Sequence, residues 1–171
     1  MNNIILIGFM GSGKTSVGIK LAERLAFRFA DTDQMIEEKC KRTINSIFAN
    51  EGEAYFRNLE TEMVKRLLEE PDHLVISVGG GLPVHPGNAG LLRQLGQVIY
   101  LKASKDTIIK RLKGDTTRPL LAGENPEEKI RTLLEYREPF YEAASNLTVI
   151  TDGRNMDDVI EEIIIRTGVT R

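Results

Sequence analysis

The run Gly8-Phe9-Met10-Gly11-Ser12-Gly13-Lys14-Thr15 has the spacing G-x-x-x-x-G-K-[ST], which suits a phosphate-binding loop. Its glycines let the backbone curl until successive N–H groups, from Gly11, Ser12 and Gly13 through Lys14, Thr15 and Ser16, point at phosphate oxygens. Lys14 carries the charge that neutralises β- and γ-phosphates, and the Thr15 hydroxyl is the kind of ligand magnesium takes. A β-branched run, Ile4 to Ile7, precedes the loop, and Val17, Leu21 and Leu25 mark a helix face after it. The helix N-terminus adds partial positive charge to the same spot. Chance alone places such fixed positions in on the order of one chain in a hundred. Binding of nucleotide phosphates is therefore the expectation.

The loop alone does not separate a kinase from a GTPase or a motor. The chain has neither N-K-x-D nor D-x-x-G, and the apolar strand Leu74 to Ser77 ends in Val78 and three glycines rather than in an acid. A carboxylate for magnesium must come from elsewhere, and Asp31 or Asp33 is available. If both lie in extended chain at the end of a second strand, period two puts them on one side. One would then face the metal while the other orients or deprotonates a hydroxyl; the plainer alternative is a turn or helix cap. Gly79, Gly80 and Gly81 are a loop, or a place where a ligand approaches backbone N–H groups. Arg57, four residues after Glu53, reads as a surface ion pair, and Arg137 beside Glu138 reads similarly. Arg118 lies in the aperiodic stretch 114–125, where an arginine fits a lid that closes over a transferring phosphate.

These residues need a scaffold that delivers strand ends to one place. Strand-length apolar runs alternate with helical patterns, which predicts an α/β doubly wound parallel sheet covered on both faces. Ligands in such sheets bind beyond the C-terminal strand ends. Helices are expected near 34–39, 44–50, 54–69, 87–95, 105–113, 126–143 and after Asn155, with Ser104 and Asn155 as caps. At 171 residues the chain fits a single domain. Its net charge of -2 gives no pull toward nucleic acid or an anionic membrane, so an anion site must be built locally. Cys40 is the single cysteine, so no disulfide can form within the chain and a reducing, cytoplasmic setting is expected. Its charged surroundings predict a surface thiol, and His73 and His85 read as loop residues without metal-ligand spacing. No apolar stretch is long enough for a membrane span, and the first residues lack a signal-peptide pattern.

Taken in order, the phosphate loop, Asp31-Thr32-Asp33, Phe56-Arg57, Gly79-Gly80-Gly81, Arg118-Pro119-Leu120-Leu121 and Arg137 resemble shikimate kinase over essentially the whole chain. The resemblance implies transfer of the γ-phosphoryl of ATP to the 3-hydroxyl of shikimate, with Mg2+, in aromatic amino-acid biosynthesis. It implies that Lys14 contacts the phosphates, that Thr15 and Asp31 serve magnesium, and that Asp33 holds the acceptor hydroxyl. Arg57 and Arg137 would clamp the substrate carboxylate with help from the Gly80 backbone, and Phe48 and Phe56 would wall its ring. Arg118 resembles the lid arginine, while Arg111 and Arg154 are similar to residues flanking adenine. The implied fold is of the nucleoside-monophosphate-kinase type, a P-loop three-layer fold with a five-stranded parallel sheet in the order 2-3-1-4-5. The same resemblance implies a substrate-binding helical region near 34–60 and a monomer. Many relatives carry threonine where this chain has Val78, so Ser77 is the expected source of that hydroxyl.

Overall fold

Apolar runs that must hide from water on both faces make the sheet. The computed structural model describes residues 2–70, 72–115 and 117–170, with Pro119 described by its backbone. Strands β1 (Ile4–Ile7) and β3 (Leu74–Ser77) are wholly buried, as the unbroken apolar runs predict. They join β2 (Arg28–Asp31), β4 (Gln97–Lys102) and β5 (Leu147–Ile150) in one parallel sheet ordered β2-β3-β1-β4-β5. Strands β2 and β3 are laid down on one side of β1 and β4 and β5 on the other, and the C-terminal end of β1 feeds the phosphate loop. That is the switch point at which sheets of this kind bind ligands.

Alternate strand residues serve opposite layers. Ile5, Ile7, Ile76, Val98 and Tyr100 pack toward α4 (Glu53–Leu67), α5 (Asn88–Leu95) and α7 (Pro126–Ala144). Ile4, Leu6, Val75, Ile99 and Leu101 pack toward α1 (Lys14–Leu25) and α8 (Met156–Thr167). A third cluster of Ile36, Ile47, Phe56, Leu59 and Met63 fastens α2 (Thr32–Cys40) and α3 (Ile44–Glu51) to α4. These helices carry Phe48, Phe56 and Arg57 to one wall of a cavity.

Caps fix where these helices begin. Ser104 accepts from the N–H of Thr107 to start α6 (Lys105–Leu112), and Asn155 accepts from Asp158 to start α8, both as expected. Pro126 opens α7 as a first-turn proline should. Among the described residues no helix is long and apolar enough to cross a membrane.

Two expectations need correction. Extended chain ends at Asp31, and Asp33 already belongs to α2, so period-two geometry does not relate the two carboxylates. Cys40 ends α2 half-buried against the third cluster, because Ile36 one turn earlier draws that helix face inward. Thr116, within the expected lid, lies outside the described residues.

Candidate active site

The phosphate loop lies where β1 passes into α1. Gly13 caps α1 with φ 94, a left-handed conformation that glycine adopts without strain. Lys14 reaches back across the loop, donating to the carbonyls of Gly8 at 2.9 Å and Phe9 at 3.1 Å. Burial pulls its ammonium down to about 8, against the attraction of Asp33 and Asp31. The Thr15 Oγ1 donates to Asp31 Oδ2 at 3.2 Å. The other Asp31 oxygen caps α2, accepting from the N–H of Asp33 at 3.0 Å and of Gln34 at 3.2 Å. Asp31 is thus a helix cap, the plainer alternative, and it also faces the phosphate loop.

The cap explains how the two aspartates meet the same space without extended chain between them. Turning into a helix immediately after Asp31 places Asp33 over the end of β3. Lys14, Thr15, Asp31, Asp33, Ser77 and Gly79 then line a cavity of about 200 Å3. Burial, and next the nearby Asp31, push the Asp33 carboxyl up to about 6, while Lys14, Arg118 and Arg57 oppose that rise. Its Oδ1 is buried and has no hydrogen-bond partner among the described residues. A buried acceptor without a donor is costly, and a hydroxyl brought beside it would relieve that cost.

A second cavity, of about 450 Å3, adjoins the first and shares Met10, Asp33, Gly79, Gly80 and Arg118 with it. Arg57, Arg137, Phe48 and Phe56 complete its polar and aromatic walls. The surface-pair readings of the two arginines are wrong. The Arg57 side chain is 12% exposed and Arg137 is 4% exposed, because both turn from their helices into this cavity. Arg57 does pair with Glu53 at 3.0 Å, as its spacing predicts, but also with Glu60 at 2.7 Å. Each guanidinium lies near an aromatic face, Arg57 5.4 Å from Phe56 and Arg137 5.8 Å from Phe9. Phe48 and Phe56 pack 4.9 Å apart.

The three glycines have a packing reason beyond backbone access. A Cβ on Gly79 would stand 2.6 Å from Glu60 Oε1 and 2.7 Å from Asp33 Oδ1. One on Gly80 would stand 3.2 Å from Arg137 Nη1, and one on Gly81 would run into the Arg57 guanidinium. Four charged side chains thus crowd one stretch of bare backbone. The expectation that this run offers its N–H groups to a ligand fails at Gly79, which donates to the buried Thr32 Oγ1 at 3.2 Å.

Glu60 is a residue that sequence reasoning missed. It is wholly buried, its Oε1 has no hydrogen-bond partner among the described residues, and burial pushes it up to about 7 despite Arg57. Its position three residues after Arg57 and seven after Glu53, on one helix face, was the available signal.

Arg118 lies within the stretch 114–125, just before a short 3₁₀ turn (Pro119–Leu121). It is 42% exposed, is held 3.4 Å from Asp115, and lines both cavities. On the far side of the phosphate loop a cavity of about 330 Å3 is lined by Arg111, Arg154 and Gly11 through Gly13. Arg111 donates to the Gly11 carbonyl at 3.0 Å. Arg154 donates to the carbonyls of Ile150 and Asp158 and to the Glu162 carboxylate, which hold its guanidinium at the edge of this cavity. The three cavities form one trough with the phosphate loop at its centre. Such a trough can hold a nucleotide along one arm and an acidic hydroxy compound in the other.

Comparison with known proteins gives the family. The shikimate kinase family model matches residues 10–167. A shikimate kinase of Thermodesulfovibrio yellowstonii is 45% identical over 164 residues, covering 96% of this chain and 94% of that one. The structure of shikimate kinase from Acinetobacter baumannii in complex with shikimate matches with a TM-score of 0.90 at 41% identity, covering 95% of this chain and 90% of that one. A deoxyadenosine kinase from M. mycoides, 19% identical with a TM-score of 0.62, shares the nucleotide-kinase fold alone. The expected architecture and strand order are those observed, and the chain belongs to the shikimate kinase family.

Proposed function

We propose that this chain transfers the γ-phosphoryl of ATP to the 3-hydroxyl of shikimate, giving shikimate 3-phosphate and ADP for aromatic amino-acid biosynthesis. The observation that carries the reading is the pair of buried guanidiniums, Arg57 and Arg137, facing one cavity beside Asp33. They suit a single carboxylate, and Asp33 waits where a ring hydroxyl would come.

The base of ATP lies between Arg111 and Arg154, and its phosphates follow the loop from Gly11 to Ser16. Phosphate oxygens give Lys14 the counter-charge that favours its protonated form. Thr15 and Asp31 fit Mg2+: a hydroxyl and a carboxylate 3.2 Å apart in one cavity are what a cation needs when it keeps waters and phosphates as its other ligands. Magnesium supplies charge neutralisation on the β- and γ-phosphates. The acceptor carboxylate meets Arg57, Arg137 and the Gly80 backbone, and Phe48 and Phe56 wall the ring. Asp33 orients the hydroxyl and takes its proton as oxygen bonds to the γ-phosphorus and the bond to ADP breaks. Arg118, carried by the lid at 114–125, approaches the transferring phosphoryl on closure and helps exclude water.

The arginine pair provides the test. A charge-assisted hydrogen bond contributes about 1.5–3 kcal/mol. Arg57→Ala and Arg137→Ala should each raise the KM for shikimate roughly 10- to 150-fold and leave ATP affinity nearly unchanged. The two losses should not add, because both hold one group. The uncharged amide of shikimate should bind wild type poorly and lose little more on either change. Folded variants with wild-type affinity for the acid would refute the clamp.

A further inference from the structure

The two groups assigned to the acceptor carboxylate, Arg137 and the Gly80 backbone, converge on a third residue. Tyr141 lies one turn beyond Arg137 on α7 and is wholly buried. Its Oη donates to the Gly80 carbonyl at 2.6 Å. The Arg137 guanidinium lies beside the same hydroxyl and opposes the rise of its pKa; having donated its one hydrogen to Gly80, the phenol oxygen can only accept from it. That guanidinium passes close over the Gly80 α-carbon and lies 5.8 Å from the centre of the Phe9 ring. One phenol oxygen therefore links a cationic side chain to the peptide it must work beside.

We propose that Tyr141 is a positioning residue for the acceptor carboxylate: its hydroxyl fixes the Arg137 guanidinium and the Gly80 peptide in one relation, so that both meet the same anion. This rests on the carboxylate reading above. An arginine has many rotamers, and holding one in advance of binding removes an entropic cost from the bound state. Gly80 needs similar restraint, because it has no side chain of its own to anchor it. The tyrosine ring has a separate task, packing on Tyr100 at 5.2 Å between ring centroids in the core. Burial pushes the phenol up to about 12, so the hydroxyl remains a donor at ordinary assay pH.

Tyr141→Phe separates the two tasks, since it keeps the ring and removes the oxygen. The expected result is a rise of about 3- to 10-fold in the KM for shikimate, the loss of one net hydrogen bond's worth of binding. The KM for ATP and the weak binding of shikimate amide should move less than twofold. In an Arg137→Lys background the same change should add little, because the arginine's orientation is then no longer at stake. Tyr100→Phe, which removes a neighbouring buried phenol outside the link, serves as the control and should leave the KM for shikimate unchanged. The proposal is overturned if Tyr141→Phe keeps the wild-type KM for shikimate, or if the KM values for acid, amide and ATP shift together. Loss of cooperative melting in Tyr141→Phe would also overturn it, by making the hydroxyl a structural requirement. A wild-type protein that turns over ATP but ignores shikimate would instead refute the function proposed above and leave the Tyr141 link without a substrate.

Discussion

At the scale of single residues, the chemistry depends on charges held away from water. Lys14 is pulled down to about 8 by burial and Asp33 is pushed up to about 6. In the free enzyme, kcat/KM should therefore climb as pH rises through about 6 and fall above about 8. A flat profile from pH 5 to 9 would contradict both assignments. Lys14→Ala should abolish most phosphoryl transfer in a folded protein, measured as ADP release. Asp33→Asn should lower kcat by about 10²–10⁴-fold with little change in ATP affinity. Stability should move the other way. The folded pKa of Asp33 lies above its unfolded value of 3.8, so the native state binds the proton more tightly. That stabilisation is full below the unfolded pKa and is lost as pH rises through about 6. Asp33→Asn, which cannot ionise, should melt close to wild type at pH 4 and higher at pH 8, by on the order of 5 °C. Equal melting temperatures at pH 8 would mean that the Asp33 carboxylate is not strained by burial.

At the scale of elements, the site is made by three turns: the loop after β1, the β2–α2 junction and the glycine run after β3. The glycine run gives a direct test of crowding. Gly81 has φ -89, which any residue can adopt, so a backbone argument predicts that Gly81→Ala is harmless. Packing predicts otherwise, because the new methyl displaces the Arg57 guanidinium. The KM for shikimate should rise at least as much in Gly81→Ala as it does for the loss of a single hydrogen bond, about 3- to 10-fold; unchanged kinetics would contradict the crowded geometry. Legibility also divides at this scale. The phosphate loop was readable because its function is performed by backbone in a fixed spacing between a strand and a helix. Ser104 and Asn155 were readable because a cap acts within one turn of itself. Arg57 and Arg137 looked like surface residues because their neighbours in sequence are charged. Their burial follows from which way α4 and α7 face the sheet, and that is set by distant contacts. Glu60 was hidden for the same reason. Asp33 lines the cavity by another route than the one expected, since α2 begins at Thr32, two residues before the expected start at 34.

At the scale of the whole molecule, strand order does the largest work. With β1 central in β2-β3-β1-β4-β5, the ends of β1, β2 and β3 open on one side of the phosphate loop, while the turn after β5 supplies Arg154 on the other. Under the proposed assignment nucleotide and acceptor enter from opposite arms of one trough, and Arg118, from the stretch expected to be a lid, lines both cavities where they join. If that stretch closes in use, ATP together with shikimate should protect it from limited proteolysis more than either alone. Equal cleavage in all cases would argue against a lid. Arg118→Ala should then depress kcat with only a modest change in affinity for the acid. The central claim, that this trough phosphorylates shikimate, is tested most directly by multiple-turnover ADP release with Mg2+-ATP against a panel of acceptors. Shikimate, its amide, gluconate and deoxyadenosine span carboxylate, uncharged, sugar-acid and nucleoside chemistry. The account predicts sustained turnover with shikimate, little with the others, and a product phosphorylated at the 3-hydroxyl. Turnover with gluconate or deoxyadenosine at a kcat/KM equal to or above that with shikimate would contradict it.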